Sequence, residues 1–204
     1  GFHYQVDEDS KITISHYLNL NVKKWYGEPI YAMVVIKDSG GSEIYNTSQY
    51  GSALYRLPEI TYQYQSLINH NPYSIFTKSG RVFNETWVNI TENMNVDIVL
   101  DMCVYPIPEI SLAEDSAIEN FDLNNYFASL EETIDYSIIS ENTNITYMIS
   151  GSFLNIYPSP NWFGTDKPKI IATNGHTTLS KNITVKVIPV NDAPDIVDII
   201  NISV

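Results

Sequence analysis

One cysteine, Cys103, occurs in 204 residues, so no internal disulfide framework can hold the chain together. It lies in the apolar run VDIVLDMCVY, the setting of a buried, inert thiol rather than of a nucleophile. Positive charge is also scarce: 11 Lys and Arg stand against 24 Asp and Glu, a formal net charge of −13. That balance excludes a nucleic-acid backbone as partner, which needs a basic stripe, and gives no attraction to anionic lipid. No apolar run nears the roughly 20 residues of a membrane span, so no membrane insertion is expected in this segment. No leader pattern opens at Gly1, and the chain is expected to be an excerpt of a longer protein.

Amphipathic helices of ordinary length are missing as well. The best helical candidate is DLNNYFASLEE, 122–132, enough for one or two turns. The four histidines, His3, His16, His70 and His176, show no His-Glu-x-x-His spacing, and no Gly-x-Ser-x-Gly elbow or phosphate loop appears. Without a nucleophile or metal constellation the chain is expected not to be an enzyme.

What fills the sequence is short alternating runs between turn clusters. KITIS (11–15), YLNLNVK (17–23) and IYAMVVIKD (30–38) alternate apolar with polar, and Ser39-Gly40-Gly41 turns the chain into SEIYN, a hairpin signal. TYQYQS, PYSIFTK, TWVNIT and VDIVLD continue the pattern, rich in the Val, Ile, Thr and Tyr that suit a pleated surface. At YPIPEI two prolines in four residues interrupt strand pairing, which places a boundary near residue 104. IDYSII, TNITYMI, SFLNIYP, KPKIIATN and KNITVKVIPV form a second series. The expected fold class is all-β: two tandem β-sandwiches joined by a short proline linker, 1–104 and 105–190.

A third piece follows. VIPVNDAP is succeeded by a fresh apolar pattern, and IINISV (199–204) repeats the layout of IPEISL (107–112) at an offset of 92 residues. Such a period marks tandem modules, so 191–204 reads as a linker and the first strand of a further repeat.

The second half resembles the cadherin-like, immunoglobulin-like tandem repeats of bacterial and archaeal surface proteins. The residues that carry the likeness are ISLAEDSAIENFDLNNYF, NWFGTD, IIATNGHTT and NITVKVIPVNDAP, over about 105–194. The resemblance implies a seven-stranded sandwich, strung head to tail with others on a cell surface. The first half is similar to a carboxypeptidase-regulatory or transthyretin-like sandwich, through GEPIYAMVVIKDSGGSEIYN, NPYSIFTKSG and TWVNITENMNVDIVL.

No organic cofactor is expected. Calcium is the one metal for which ligands are on offer, since it takes six to eight oxygens from carboxylates and carbonyls. Glu114 and Asp115 at a module base and Asn191 and Asp192 at the linker can supply some, with Glu131, Glu132 or Asp166 nearby. The alternative is that these residues only cap turns through their own backbone. SLEET stands where the family's acidic loop often reads Asp-x-Asp, and YPIPE lacks Asn-Asp. A first strand's start and a last strand's end can lie at opposite poles of a sandwich, which leaves a site to be completed by the next module's acids. Trp162-Phe163 can stack a sugar or, as in this family's turn, tuck into the core edge; Trp25 and Trp87 read as packing and strand residues.

Asn-x-Ser/Thr triplets begin at Asn46, Asn84, Asn89, Asn144, Asn182 and Asn201. Six of them beside a lone cysteine point to a glycosylated surface protein without disulfides. Alternation turns Asn89 away from Val88 and Ile90, and Asn182 away from Ile183. The function expected is that of a non-catalytic extracellular adhesion or spacer segment at the cell surface. Its partners would be neighbouring repeats of the same protein, other surface proteins or glycans. The rival is a carbohydrate-binding accessory module of a secreted enzyme.

Overall fold

The computed structural model describes residues 11–63, 66–130 and 133–191. They form nineteen strands. The first nine are β1 (Lys11–Lys23), β2 (Tyr31–Lys37), β3 (Glu43–Tyr50), β4 (Ser52–Gln63), β5 (Ser66–Asn69), β6 (Tyr73–Ser79), β7 (Val82–Val88), β8 (Met94–Val99) and β9 (Met102–Val104). Next come β10 (Ile110–Ala113), β11 (Ile118–Asp122), β12 (Phe127–Ser129), β13 (Asp135–Ile139) and β14 (Ile145–Ser150). The series closes with β15 (Phe153–Pro158), β16 (Gly164–Asp166), β17 (Lys169–Thr173), β18 (Thr178–Asn182) and β19 (Val185–Ile188).

The chain divides into two compact units, both all-β sandwiches. The first gathers the residues up to Tyr105 with Phe127–Ile134 and Thr173–Leu179; the second gathers Pro106–Tyr126, Asp135–Ala172 and the residues from Ser180 on. The passage between Tyr105 and Pro106 falls within the proline-rich stretch, and 105–109 carry no strand. Phe127–Ile134 and Thr173–Leu179 lie in the expected second module by sequence, yet they cluster with the first unit. One reason is visible in the backbone: β12 pairs antiparallel with β9, Phe127 opposite Val104 and Ser129 opposite Met102.

In the first unit one sheet runs β5-β4-β1-β8 and the other β3-β2-β6-β7. Alternation aims Leu18, Leu20 and Val22 of β1, Val34 and Ile36 of β2, Leu57 of β4 and Ile75 of β6 into a common core. A break in register sets Ile14 opposite Ile60 but Ser15 opposite Pro58. Glu59 is the extra residue, and the bulge accommodates Pro58, which has no N–H for the ladder. The expected hairpin turn forms with Asp38 Oδ1 accepting the N–H groups of Gly40 at 3.0 Å and Ser42 at 2.9 Å.

The second unit holds the sheets β10-β19-β16 and β11-β15-β14 and most of β13-β17-β18. Its interior is aliphatic: Ile145, Leu154, Ile156, Ile170, Val185 and Val187. Among the described residues of 122–132 no α-helix forms. Asp122 caps a single 3-10 turn, Leu123–Asn125, by accepting the Asn124 N–H at 3.0 Å, and the chain then becomes β12. Asparagine is a poor helix former, and ladder pairing decides the next three residues. The further strand expected within 191–204 lies, apart from Asn191, outside the described residues.

Candidate functional site

The acidic base of the second unit comes first. β10 and β19 pair parallel, with Ala113 opposite Ile188, so the end of β10 and the end of β19 lie at one pole. Glu114, the next residue, is therefore beside the exit of β19 and not at the opposite pole. Its N–H donates to Ile188 O at 2.9 Å, and its Oε1 accepts the Val190 N–H at 2.5 Å. Glu114 is 6% exposed, so this carboxylate is a buried cap on the strand end, which a charge-assisted bond suits. Asp115 turns elsewhere: it has φ 59 and its Oδ1 accepts the Asn161 N–H at 2.8 Å. Asn191 is exposed, while Asp192, Glu131, Glu132 and Asn201 lie outside the described residues. Asp166 accepts the Ser140 and Tyr147 hydroxyls on Oδ2, each at 2.7 Å. Burial, and then this bond to Asp166, pushes the Tyr147 phenol well above its usual range. Among the described residues no three His, Cys, Asp or Glu side chains gather as a metal group.

In the first unit, Asp101 is the polar centre that no motif announced. It is 7% exposed. Its Oδ1 accepts Asn174 Nδ2 at 2.8 Å, its Oδ2 accepts the Thr177 hydroxyl, and its carbonyl accepts the Leu130 N–H at 2.9 Å. Asn174 Nδ2 also reaches Ser129 Oγ at 3.0 Å, while Asn174 Oδ1 accepts the N–H groups of His176 and Thr177. The TNGHTT segment is thus a turn, and its exposed His176 stacks on Trp25 with ring centroids 3.6 Å apart. Cys103, two residues on, is buried, and burial raises its thiol pKa, as an inert thiol requires.

A second polar line was missed by sequence reasoning. Asp38 Oδ2 lies 3.4 Å from His70 Nδ1, His70 Nε2 lies 3.0 Å from Thr61 Oγ1, and Thr61 Oγ1 lies 3.2 Å from Thr13 Oγ1. Acid, imidazole and hydroxyl follow the order of a nucleophile triad. Thr61 is 5% exposed and its hydroxyl is shared with Thr13, so the hydroxyl has no open approach for a substrate. The line instead secures the hairpin turn at Asp38, and Ser39 N donates to His70 O at 3.0 Å in support. The near pairing of His70 with an Asx turn 32 residues upstream leaves no sequence signal.

The aromatics separate. The Trp162 ring lies over Gly164, where an added Cβ would meet it at 3.0 Å, and Phe163 is exposed. Trp87 is a strand residue but not a packed one: it is 61% exposed. Of the sequon asparagines, Asn46, Asn89, Asn144 and Asn182 are exposed, and Ile90 and Ile183 beside them are buried. Asn84 is half-buried and its Nδ2 donates to Val99 O at 3.4 Å.

No family model and no curated protein matches the chain. Among solved structures, tandem immunoglobulin domains of titin align at 10% identity over 88% of this chain and 97% of that one, with a TM-score of 0.31. The EC1-3 segment of Drosophila N-cadherin aligns at 11% identity over 86% of this chain and 68% of that one, with a TM-score of 0.39. An endo-fucoidan hydrolase of glycoside hydrolase family 107 aligns at 10% identity over 94% of this chain and 30% of the enzyme, with a TM-score of 0.35. At such identities and scores no function passes from those proteins to this chain.

Proposed function

We propose that this chain is a non-catalytic structural or adhesion segment of a larger extracellular, cell-surface glycoprotein, with neighbouring repeats of the same protein as its first partners. The observation that carries the mechanical reading is the parallel pairing of the entry and exit strands of the second unit. In the second unit the first strand, β10, pairs parallel with the last, β19, from Ile110–Val185 to Ala113–Ile188; in the first unit β1 also has a parallel partner, β8, from Leu18–Met94 to Lys23–Val99, though β9 follows β8 there. Tension applied where the chain enters β10 and leaves β19 pulls the two strands past each other. The slanted, evenly spaced bonds of a parallel ladder are then loaded together, whereas a hairpin pulled at its open end breaks one bond at a time. The exposed sequon asparagines support the surface reading, because a glycan needs a solvent-facing anchor.

Single-molecule pulling tests this. Force applied through positions flanking β10 and β19 is expected to reach a clearly higher peak than force applied across Ile145 and Pro158, which face each other in the antiparallel pair β14-β15. Equal peaks would overturn the spacer reading. Shaving of intact cells with protease tests the location: peptides of this chain should be released without lysis. A second reading, a carbohydrate-binding accessory module, draws on the exposed aromatics of the first unit. The experiment below decides between the two.

A further inference from the structure

The outer faces of the two sheets of the first unit both carry exposed apolar side chains, but only the β3-β2-β6-β7 sheet carries an exposed sequon asparagine among its strands. On β5-β4-β1-β8 polar ladders, Asn19 Nδ2 to Asn95 Oδ1 at 3.0 Å, Asn21 Nδ2 to Asp97 Oδ1 at 3.1 Å, and Ser52 Oγ to Asn21 Oδ1 at 3.1 Å, share the surface with exposed Tyr17 and Leu54. On β3-β2-β6-β7 the outward rows are Tyr50–Tyr31, then Ser48–Met33–Lys78, then Asn46–Val35–Phe76–Glu85. Tyr31 is 74% exposed, Tyr50 53% and Met33 37%, and the two tyrosine rings lie 4.8 Å apart. A shallow groove lined by Met33, Val35, Lys37, Glu43, Phe76 and Glu85 runs along this face. Exposed Tyr31, Tyr50 and Met33, bordered by Lys37, Glu43 and Glu85, make a mixed apolar and polar surface of the kind a partner can cover.

The sequence places a candidate cover on the face itself. Asn46 opens the triplet Asn46-Thr47-Ser48, is exposed, and sits in the same row as Val35 and Phe76. Adjacent strands are about 4.8 Å apart, so half-buried Phe76 in this row and exposed Met33 in the next are within reach of a sugar on Asn46, while Val35 is itself buried. The other described sequons of this unit are elsewhere: Asn84 Nδ2 is bonded to Val99 O, and Asn89 follows the end of β7. The apolar C–H faces of a sugar ring match aromatic and Met surfaces, and its hydroxyls match Glu43, Lys37 and Glu85 at the rim. Asn46 Nδ2 donates to Glu43 Oε1 at 3.1 Å; a glycosylated amide keeps one N–H, so this bond can persist and aim the sugar.

We propose that a glycan on Asn46 lies over the outer face of the β3-β2-β6-β7 sheet and shields Met33, Tyr31 and their neighbours. This rests on the reading that the sequons are used. In the transfer, Asn46 Nδ2 loses one hydrogen as a proton and bonds the anomeric carbon of a lipid-phosphate-linked oligosaccharide. The lipid phosphate leaves with the electron pair of the broken glycosidic bond, the amide proton passes to a base of the host transferase that catalyses the step, and the lipid-linked oligosaccharide is the donor.

The test uses protein from the native source, as wild type, Asn46→Gln and Ser48→Ala. The last removes the triplet and keeps the asparagine. Peptide mass spectrometry reads occupancy, and dilute peroxide reads the exposure of Met33 against Met148, which is 56% exposed in the second unit. Sugar on Asn46, with Met33 oxidising several-fold faster in both variants and Met148 unchanged, is the expected result. An occupied Asn46 with equal Met33 rates in all three proteins would overturn the cover and leave the sequon reading standing. A bare Asn46 with sugar on Asn144 or Asn182 overturns this inference alone. Bare asparagines throughout overturn the sequon reading beneath it. A bare Asn46 together with Met33 protection by added neutral oligosaccharide gives the face to a free glycan and favours the accessory-module reading.

Discussion

The two units reach the same all-β architecture with different interiors. The first is built on long strands, 13 residues in β1 and 12 in β4, and it buries polar groups with its apolar ones. Tyr55 donates to Gln49 Oε1 at 2.5 Å, Tyr73 donates to Pro58 O, and Asp101 collects Asn174 and Thr177. In the second unit the longest described strands have six residues, and the core is Ile, Leu and Val. Its polar groups hold turns and strand ends: Asn142 accepts the Asn144 N–H at 2.9 Å, Asp115 accepts that of Asn161, and Glu114 that of Val190. A buried Tyr or Asp is tolerated only with its partner in place, so the first unit is specified by pairs. The second relies more on volume and turn geometry, with the Tyr147–Asp166 pair and the Glu114 cap beside them.

The largest test of that difference is a matched pair of core truncations. Leu20 and Leu154 are both fully buried, one in each unit. Leu→Ala at either is expected to cost about 2–5 kcal/mol through lost transfer energy and the cavity left behind. Hydrogen exchange should place the loss from Leu20→Ala in the first unit and that from Leu154→Ala in the second. Equal loss of protection in both units from either change would erase the distinction.

Next in size is Asp101→Ala. It strips partners from Asn174, Thr177 and, if the backbone shifts, Leu130, and an orphaned buried partner costs about 1–3 kcal/mol. The destabilisation should appear in the first unit, because 173–179 belong to it. Asp101→Asn keeps an acceptor and should lose less. If instead amides of β14 and β15 exchange faster in Asp101→Ala while the β1 amides hold, residues 173–179 serve the second unit.

Much of the fold was legible because alternation and turn chemistry act locally. Asp38 through Ser42 announces its own hairpin, Pro106 and Pro108 break the ladder where they stand, and Cys103 is buried as its apolar run implies. The asparagines of NITENMNVD and KNITVKV can be assigned a side by counting in twos. What was not legible is long-range. Parallel pairing of β1 with β8 and of β10 with β19 joins segments some 75 residues apart, and periodicity is silent on partners. The recruitment of Phe127–Ser129 by β9 overrode a weak helical pattern through a ladder that only the fold supplies. Glu114 and Asp115 are neighbours in sequence, yet one faces a strand end and the other a turn 46 residues on. Alternation also cannot tell whether an outward Trp87 is covered, and this one is exposed.

Acid should act more weakly, and on the polar ladder between β1 and β8 in the first unit. A hydrogen bond from the Lys23 ammonium, then one from Asn21, holds the Asp97 carboxyl below its usual pKa. A group depressed in the folded state contributes stability above its unfolded pKa, near 4, and loses it as pH falls through the folded value. Asp97→Asn should therefore lower the urea midpoint slightly at neutral pH, with the gap to wild type closing under acid below the usual carboxylate range. The site is exposed, so added salt should shrink the gap as well. A gap that stays constant from neutral pH into strong acid would show that the Lys23–Asp97 pair contributes nothing.

The smallest expected effect is that of calcium on the second unit. Calcium needs six to eight oxygens at 2.3–2.6 Å, and two of the acids named for it already have backbone partners. Glu114 Oε1 takes the Val190 N–H and Asp115 Oδ1 takes the Asn161 N–H, so binding through those atoms would first have to break a strand-end cap and a turn. A tight ligand of the folded state must raise the melting temperature by mass action. Millimolar calcium is therefore expected to leave the melting of these 204 residues unchanged. Glu114→Gln sharpens the point: its amide oxygen can still accept from Val190, so a purely capping role predicts a small loss of stability, the same with calcium or chelator. A large upward shift with calcium, reversed by chelator and abolished in Glu114→Gln, would mean that the pole formed by the parallel pair β10-β19 is a cation site and that its carboxylates exchange their backbone partners for the metal.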